Sequence, residues 1–526
     1  MDKQKLISQL FDQGLLLGQD LMESGLSVSF PFSEPAFSDQ LKTDTTLLVL
    51  TQDYLHQQLE LTKFPESQKS ETPVEIPALL PTITGTAITS TTITGIVAPS
   101  FSPIIITFPT ATVKQFEVKD FTSLFLSRYR FLSNLLRHRS ELQNILPLAR
   151  LLQKARAEKG EGGRESSAFI AMISEVTITK SGNILLTVED PTGSAKVLIP
   201  KQNRELFAVA KEIVVDEVLG IVGTVTDKFI FADAIIWPEI PAREIKKVPV
   251  DDYAIFLSDI HVGSTLFLHE EFQRFLQWIK GLAGNEQQRE IAARVKYIFI
   301  AGDLVDGVGV YPSQEKELAI TDIFQQYAEF TRLLTQIPLD KQIIICPGNH
   351  DVVQLAEPQP ALYLEYAPEL AGLPNVHLVP NPSFVTIGAT EQFSGLDVLL
   401  YHGYSFDYFV ANVDAIRAQG GYHRADLIMK FLLKRRHLAP SFKSTAYYPG
   451  YAEDPLLITK VPDLLVTGHI HYSHVANYKG VTMISCSCWQ GKTSYQVKLG
   501  HDPEPARVPL VNLRTREVKI LRFGRE

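Results

Sequence analysis

Apolar residues fall into several distinct rhythms along this chain. Near the start, Leu6, Ile7, Leu10, Phe11 and Leu15 to Leu17 recur at helical spacing and predict a small helical unit over 1–65. Between 66 and 115 the rhythm stops. The stretch PTITGTAITSTTITGIVAPS is rich in Thr, Ile, Pro and Gly and almost free of charge, which reads as an extended linker compatible with transient β-structure. Helical periodicity returns over 116–160, in FTSLFLSRYRFLSNLLRHRSELQNILPLARLLQKA. A Gly-rich break at Lys159 to Gly163 then precedes short strand-like runs: FIAMISEVTITK, NILLTVEDPTG, AKVLIP, VLGIVGTVT and FIFADAIIW. Roughly five strands with one helix-like interruption match the strand count of an OB barrel, so an all-β OB-fold domain is expected over 165–245. From 248 to 526 strand-like and helix-like segments alternate, as in an α/β or sandwich catalytic domain.

Within that last region, five apolar runs each lead directly into ligand-type side chains. FLSD leads into IHVG, IFIAGD into LVDG, IIICPGN into HDVV, VLLYHG into YS, and LLVTGH into IHYS. Ligands of open α/β sheets gather where strands end at their carboxyl edges, so the pattern implies one site assembled from five strand ends. The side chains concerned are Asp259, His261, Asp303, Asn349, His350, His402, His469 and His471.

Composition narrows the class. At 526 residues the chain is long enough for two to four domains, and 45% hydrophobic with 21% charged residues fits a globular protein. A net charge of −9 argues against a basic nucleic-acid coat but leaves room for a local basic groove. Cys346, Cys486 and Cys488 supply neither a disulfide framework nor a CxxC zinc module, and Cys346 reads as a small buried residue. A reducing, cytoplasmic (nucleoid-associated) setting is the expectation. The opening MDKQKLISQLFDQG lacks the apolar core of a signal peptide, and no run reaches the roughly 18 apolar residues of a membrane span.

Asp259 and His261 are two residues apart, so at an extended strand end both can point to one side and offer a carboxylate oxygen and an imidazole nitrogen to one metal. Asp303 has two oxygens able to bridge two cations, and Asn349 adds a neutral oxygen. His402, His469 and His471 supply nitrogens. A mixed N/O set without thiolates favours Mn²⁺, Fe or Zn²⁺ over Ca²⁺ and is too rich in imidazole for Mg²⁺ alone. A single Asp-x-His is more often a buried histidine satisfied by a carbonyl. Five such motifs in order favour two divalent metal ions, Mn foremost, because so many ionisable groups are costly to bury without a counter-ion.

The order D-x-H, G-D-x-x-D, G-N-H-D, H-G and G-H-x-H resembles that of calcineurin-like metallophosphoesterases. The stretches Glu357-Pro358-Gln359-Pro360, Asn381-Pro382, Leu399 to Gly403, Arg436 to Pro440 and Val461-Pro462-Asp463, behind an OB-like domain, are similar to the small subunits of archaeal-type DNA polymerase D over about 165–526. The resemblance implies an α/β (α+β) phosphoesterase β-sandwich flanked by helices at 248–526, preceded by the OB-fold and a helical N-terminal region. It implies that Asp259, His261, Asp303 and His471 hold one metal and that Asp303, Asn349, His402 and His469 hold the second, with His350 catalytic near the leaving group. Asp306 and Asp351 are candidates for orienting a histidine ligand, or else turn residues. The activity implied is a 3′→5′ proofreading exonuclease on the DNA 3′ end, in a heterodimer with a large polymerase subunit. A stand-alone break-repair-type nuclease, a smaller-substrate phosphoesterase and a scaffold with a vestigial metal site remain the alternatives.

Basic residues at 411–443, chiefly Arg424, Lys434, Arg435 and Arg436, are candidates to track a DNA backbone, with a protein contact as the competing reading. Arg128, Arg130, Arg137, Arg139, Arg150, Lys154 and Arg156 present the same choice between phosphate contact and a solvated helix face. Tyr404, Phe406, Tyr408 and Phe409 can stack bases or pack a core, with core packing favoured for at least two of them. Gln4, Ile7, Leu10 and Phe11 loosely follow a sliding-clamp ligand, although Leu10 stands where an aromatic is expected and an ordinary amphipathic helix is the favoured reading.

Overall fold

The computed structural model describes residues 16–17, 49–50, 104–108, 115–157, 166–226, 228–499 and 502–524. Residues 1–96 and 97–526 form two separate units. In the first, Leu16–Leu17 (β1) pairs in parallel with Val49–Leu50 (β2). Leu16 and Leu17 are therefore strand rather than the predicted helix, because adjacent leucines suit both states and periodicity cannot separate them over so few residues. The rest of the expected helical unit lies outside the described residues, including the clamp-like Gln4, Ile7, Leu10 and Phe11. So does most of the expected linker.

The end of that linker is a correction. Ile105–Thr107 (β3) forms a strand of the larger unit, as the β-branched run Ile104-Ile105-Ile106-Thr107 favours. Two helices follow, Val118–Arg137 (α1) and Leu148–Ala157 (α2). At the head of α1, Glu117 and Asp120 form a reciprocal capping box.

A barrel comes next, made of Ser166–Ile178 (β4), Ile184–Asp190 (β5), Gly193–Ile199 (β6), Val218–Val225 (β7) and Ile230–Ile236 (β8). Its closed order is β4-β5-β6-β8-β7, with Arg204–Ala210 (α3) between β6 and β7. The long β4 pairs with β7 along its first half and with β5 along its second. A bulge between Ile173 and Glu175 bends it around the corner.

The remaining strands build two six-stranded sheets. Tyr253–Leu257 (β9), Val295–Ala301 (β10), Gln342–Cys346 (β11) and Val376–Leu378 (β12) run parallel in the first. Ser383–Ile387 (β13), Leu396–Leu400 (β14), Leu464–Thr467 (β15), His474–Tyr478 (β16) and Val481–Ser485 (β17) belong to the second. The first sheet is ordered β12-β11-β10-β9-β18-β19, completed by Arg507–Asn512 (β18) and Val518–Arg522 (β19), and the second β16-β17-β15-β14-β13-β3.

Side-chain alternation decides how the sheets stack. Phe256, Phe299, Ala301, Ile344 and Cys346 of the first sheet meet Val398, Leu400, Val466, Ile484 and Cys486 of the second in one buried layer. On the far side of the first sheet, Ile298, Ile300, Ile343 and Ile345 pack with Phe272 and Phe275 from His269–Ile279 (α4) and Phe330 from Ile323–Leu334 (α5). On the far side of the second, Leu399, Leu465 and Met483 pack with Phe406 and Phe409 from Phe406–Asn412 (α6) and with Ile428 and Leu432 from Ala425–Arg435 (α7). Strands covered on both faces need continuous apolar runs, which is why their sequences do not alternate.

Charged groups join the sandwich to the segments before it. Arg128 of α1 is fully buried, and its Nε donates to Asp454 Oδ2 at 2.7 Å while Nη1 donates to the Pro440 carbonyl at 2.8 Å. His437 Nε2 donates to the same Asp454 oxygen at 2.9 Å, and its Nδ1 accepts from the Ala439 N–H. Arg435 of α7 pairs with Glu217 of the barrel segment at 2.7 Å, both buried.

Candidate metal centre

All five motifs stand where parallel strands end. Asp259 and His261 follow β9, Asp303 follows β10, Asn349, His350 and Asp351 follow β11, His402 follows β14, and His469 and His471 follow β15. The loops that aim them are strained. Asp259, His261, Asp303, His469 and His471 adopt φ of 50°, 53°, 52°, 72° and 55°, a left-handed backbone that costs non-glycine residues roughly 1–3 kcal/mol each. Strain of this kind persists only where surrounding contacts impose it. Here the backbone N–H of His469 is held by the Asp259 carboxylate at 2.9 Å, and that of His350 by Asp303 Oδ1 at 2.9 Å.

Among the described residues the expected ligands gather into two adjoining groups, and His261 shares a third with Asp306 and His350. Asp259, His261 and His471 each bring one ligand atom within 4.8 Å of the others, and so do Asp303, His402 and His469. His261 Nε2 lies 3.1 Å from His471 Nε2 and 3.9 Å from Asp303 Oδ2, which lies 3.4 Å from His402 Nε2. Asp303 therefore stands between the groups. Asn349 Oδ1 approaches His402 Nε2 at 2.9 Å and joins the second group.

A further layer sets the tautomers. His261 Nδ1 donates to Asp306 Oδ1 at 3.1 Å, and His402 Nδ1 donates to the Ala301 carbonyl at 2.7 Å. In both rings Nε2 is thereby turned inward, toward the neighbouring donors. Asp306 is braced by Gln490 Nε2 at 2.8 Å and Gln314 Nε2 at 3.0 Å. Asp351 accepts from the backbone of Gly348 at 2.9 Å and from the Tyr327 hydroxyl at 3.0 Å, so it supports the loop carrying Asn349 rather than a histidine. Asn381 and Gln359 do the same for their neighbours, holding the His402 N–H at 2.8 Å and the Gly348 carbonyl at 3.1 Å.

The electrostatics call for positive charge. Burial pushes the Asp303 carboxyl up, yet His402 and His350 beside it hold it well below the usual carboxylate range. Burial opposes a charged His402, but Asp303 and Asp259 nevertheless raise it to about 10. Burial lifts Asp351 to about 7, with Asp303 adding to the effect. Three buried carboxylates, Asp259, Asp303 and Asp306, and two imidazole Nε2 atoms turned inward form a donor set that suits divalent cations.

Gly348 has no room for a side chain. A Cβ there would meet Asp303 Oδ1 at 2.2 Å and the Asp303 nitrogen at 2.5 Å. Gly348→Ala is expected to cost about 1–3 kcal/mol through overpacking and to displace Asp303. A melting temperature equal to wild type, together with undiminished Mn²⁺ binding, would contradict this.

Residues 254–473 match the calcineurin-like phosphoesterase family model. The chain is 39% identical over 408 residues to the DNA polymerase II small subunit of Methanothermobacter thermautotrophicus, covering 78% of this chain and 80% of that one. The protein of the same name from Archaeoglobus fulgidus is 36% identical, with 78% of each chain covered. The chain belongs to the DNA polymerase II small subunit family. The Methanocaldococcus jannaschii small subunit is 38% identical over 75% of this chain, but only 64% of its own length is spanned.

In this member of the small-subunit family, the basic residues expected to reach DNA are otherwise engaged. Arg435 is 1% exposed, paired with Glu217 and stacked on the Phe431 ring at 3.3 Å. Arg436, 5% exposed, spends its guanidinium on the carbonyls of Ile458 and Thr459. Lys434 pairs with Glu212 and lies 3.7 Å from the centre of the Trp237 ring, and Arg424 pairs with Asp426. Lys434 and Arg435 tie α7 to the barrel segment, and only the charge of the cluster, not its burial, was visible in the sequence. Arg128 is likewise buried. Phe406 and Phe409 are core residues, while Tyr404 lies half-buried against the His469 ring at 5.6 Å. Nothing in the sequence pointed to Asp407, whose Oδ2 lies 3.1 Å from His469 Nε2, nor to Gln314, Gln490 and Gln496, which come from segments remote in the chain. Among the described residues no helix is long and apolar enough to cross a membrane.

Proposed function

We propose that this small subunit is a 3′→5′ exodeoxyribonuclease that proofreads for a large polymerase subunit, hydrolysing phosphodiesters at a two-metal centre. The observation that carries the reading is the complete donor set: Asp259, His261 and His471 in one group, His402, His469 and Asn349 in the other, with Asp303 between them. Asp259, His261, Asp303 and His471 would hold one cation, and Asp303, Asn349, His402 and His469 the second. Two bound divalent cations supply positive charge to a phosphoryl group and make water a nucleophile near neutral pH.

The chain's own residues do the rest. His350 Nδ1 donates to the Asp306 carbonyl at 2.7 Å, which fixes the ring, and in the imidazolium form the Nε2 proton is left to hydrogen-bond or protonate the leaving 3′ oxygen. Its ring meets that of His261 edge-on at 4.7 Å, next to the first group. Asp306 thus holds a ligand histidine by its carboxylate and His350 by its carbonyl, coupling the two positions. We take the barrel to be an OB-fold on its strand order, with β6 beside β8 in parallel.

The test is the purified chain, alone and with its large subunit, given Mn²⁺ and a mismatched or single-stranded 3′ end. Shortening from the 3′ end that disappears in Asp303→Ala supports the reading. No shortening in either preparation sinks it, and a failure to co-purify with a large polymerase chain would point to a stand-alone nuclease.

A further inference from the structure

The candidate histidine ligands are not all anchored the same way. His261 and His402 each donate through Nδ1, to Asp306 and to the Ala301 carbonyl, and so present Nε2. His469 is turned around. Its Nε2 faces Asp407 Oδ2 at 3.1 Å, a carboxylate outside both donor groups, and because that carboxylate can only accept, Nε2 carries the proton and Nδ1 keeps the lone pair. His471, by contrast, turns Nε2 toward Asp259 Oδ1 of its own group at 3.2 Å. The ring is confined on other sides by His402 at 5.1 Å and Tyr404 at 5.6 Å between centroids, and its backbone N–H is tied to Asp259.

Asp407 stands in the first turn of α6, whose Phe406 and Phe409 are fully buried in the core, so the carboxylate is mounted on a rigid element. Its setting differs from that of Asp306. The Asp306 side chain is fully buried and braced by two glutamines, whereas that of Asp407 is 50% exposed. Solvent can therefore reach the Asp407 carboxylate but not that of Asp306.

We propose that Asp407 is the positioning residue for the second cation: it fixes His469 in the Nε2–H tautomer, so that His469 binds through Nδ1, and it sets the affinity of that site alone. This rests on the two-cation reading above. The half-exposed anchor makes the Asp303–Asn349–His402–His469 site the weaker of the two.

Mn²⁺ binding to the full chain by equilibrium dialysis tests the affinity. Wild type should bind two ions, and Asp407→Ala should bind one unchanged and the other about 10–100-fold more weakly. Asp407→Asn keeps an acceptor oxygen and should recover part of the loss, and the metal-free melting temperature should stay at the wild-type value. With ¹⁵N-histidine and ¹¹³Cd²⁺, the cadmium coupling of His469 should appear at Nδ1, while that of His261 and His402 appears at Nε2. Cadmium coupling of His469 at Nε2, or two ions bound by Asp407→Ala as tightly as by wild type, overturns the role of Asp407 and leaves the two-metal reading standing. Fewer than two ions on the wild type overturns both.

Discussion

His350→Ala is expected to slow phosphodiester cleavage by about 10²–10⁴-fold while both cations stay bound, the loss typical of removing a positioned proton donor. The expectation follows from how His350 is held. Its Nδ1 proton is committed to the Asp306 carbonyl at 2.7 Å, and its backbone N–H to Asp303 Oδ1 at 2.9 Å. Only Nε2 remains for a reacting oxygen. Removing the ring leaves the Asp303 hydrogen bond in place, because that bond comes from the backbone. Asp303→Ala should behave differently, losing cations and activity together, since its carboxylate stands between the two donor groups. Rates and bound Mn²⁺ measured on the same samples separate the cases. If His350→Ala cleaves at the wild-type rate, or loses its cations, the assigned role is wrong.

Asp454→Ala is expected to destabilise the fold by about 3–5 kcal/mol, the usual consequence of removing one partner from a buried ion pair. Arg128 and Asp454 are both fully buried at 2.7 Å, and His437 and Tyr447 use the same carboxylate. Without Asp454 the guanidinium keeps only carbonyl oxygens and a tyrosine hydroxyl as partners. Urea unfolding of the variant measures the loss. A double change, Arg128→Met with Asp454→Leu, should recover much of it, because apolar replacement of a whole buried pair is often neutral or better. A single variant within 1 kcal/mol of wild type would contradict this account.

The cluster also sets a pH dependence. Burial, aided by the Arg128 charge, lowers His437 to about 4, against about 6.5 in an unfolded chain. The unfolded state therefore takes up a proton that the native state refuses. This contribution to stability is fully present above about pH 6.5 and is lost as pH falls through about 4.

The centre was legible because each ligand sits two to four residues beyond an apolar strand, so spacing and side-chain type were both local. What is not local stayed hidden. The inverted orientation of His469 depends on Asp407, which belongs to a helix beginning after a different strand. The left-handed backbones of Asp259, Asp303 and His471 leave no trace in sequence, since no glycine marks them. Arg435 and Arg436 misled for a related reason: positive charge in a sequence looks the same whether a phosphate or a buried glutamate answers it. Burial of Glu217 was the missing half of that pair. Fold reading failed in the same way at the expected linker, where the partner of Ile105–Thr107 lies nearly three hundred residues downstream.

That strand determines how the chain can be trimmed. A shortened chain starting at 116 or at 165, the borders suggested by composition, would uncover the free hydrogen-bonding edge of β13 and offer it to any other extended chain. One starting ahead of Ile104 keeps the edge shielded. The smallest fragment that stays monodisperse is thus defined by three paired residues at a sheet margin, well upstream of the barrel.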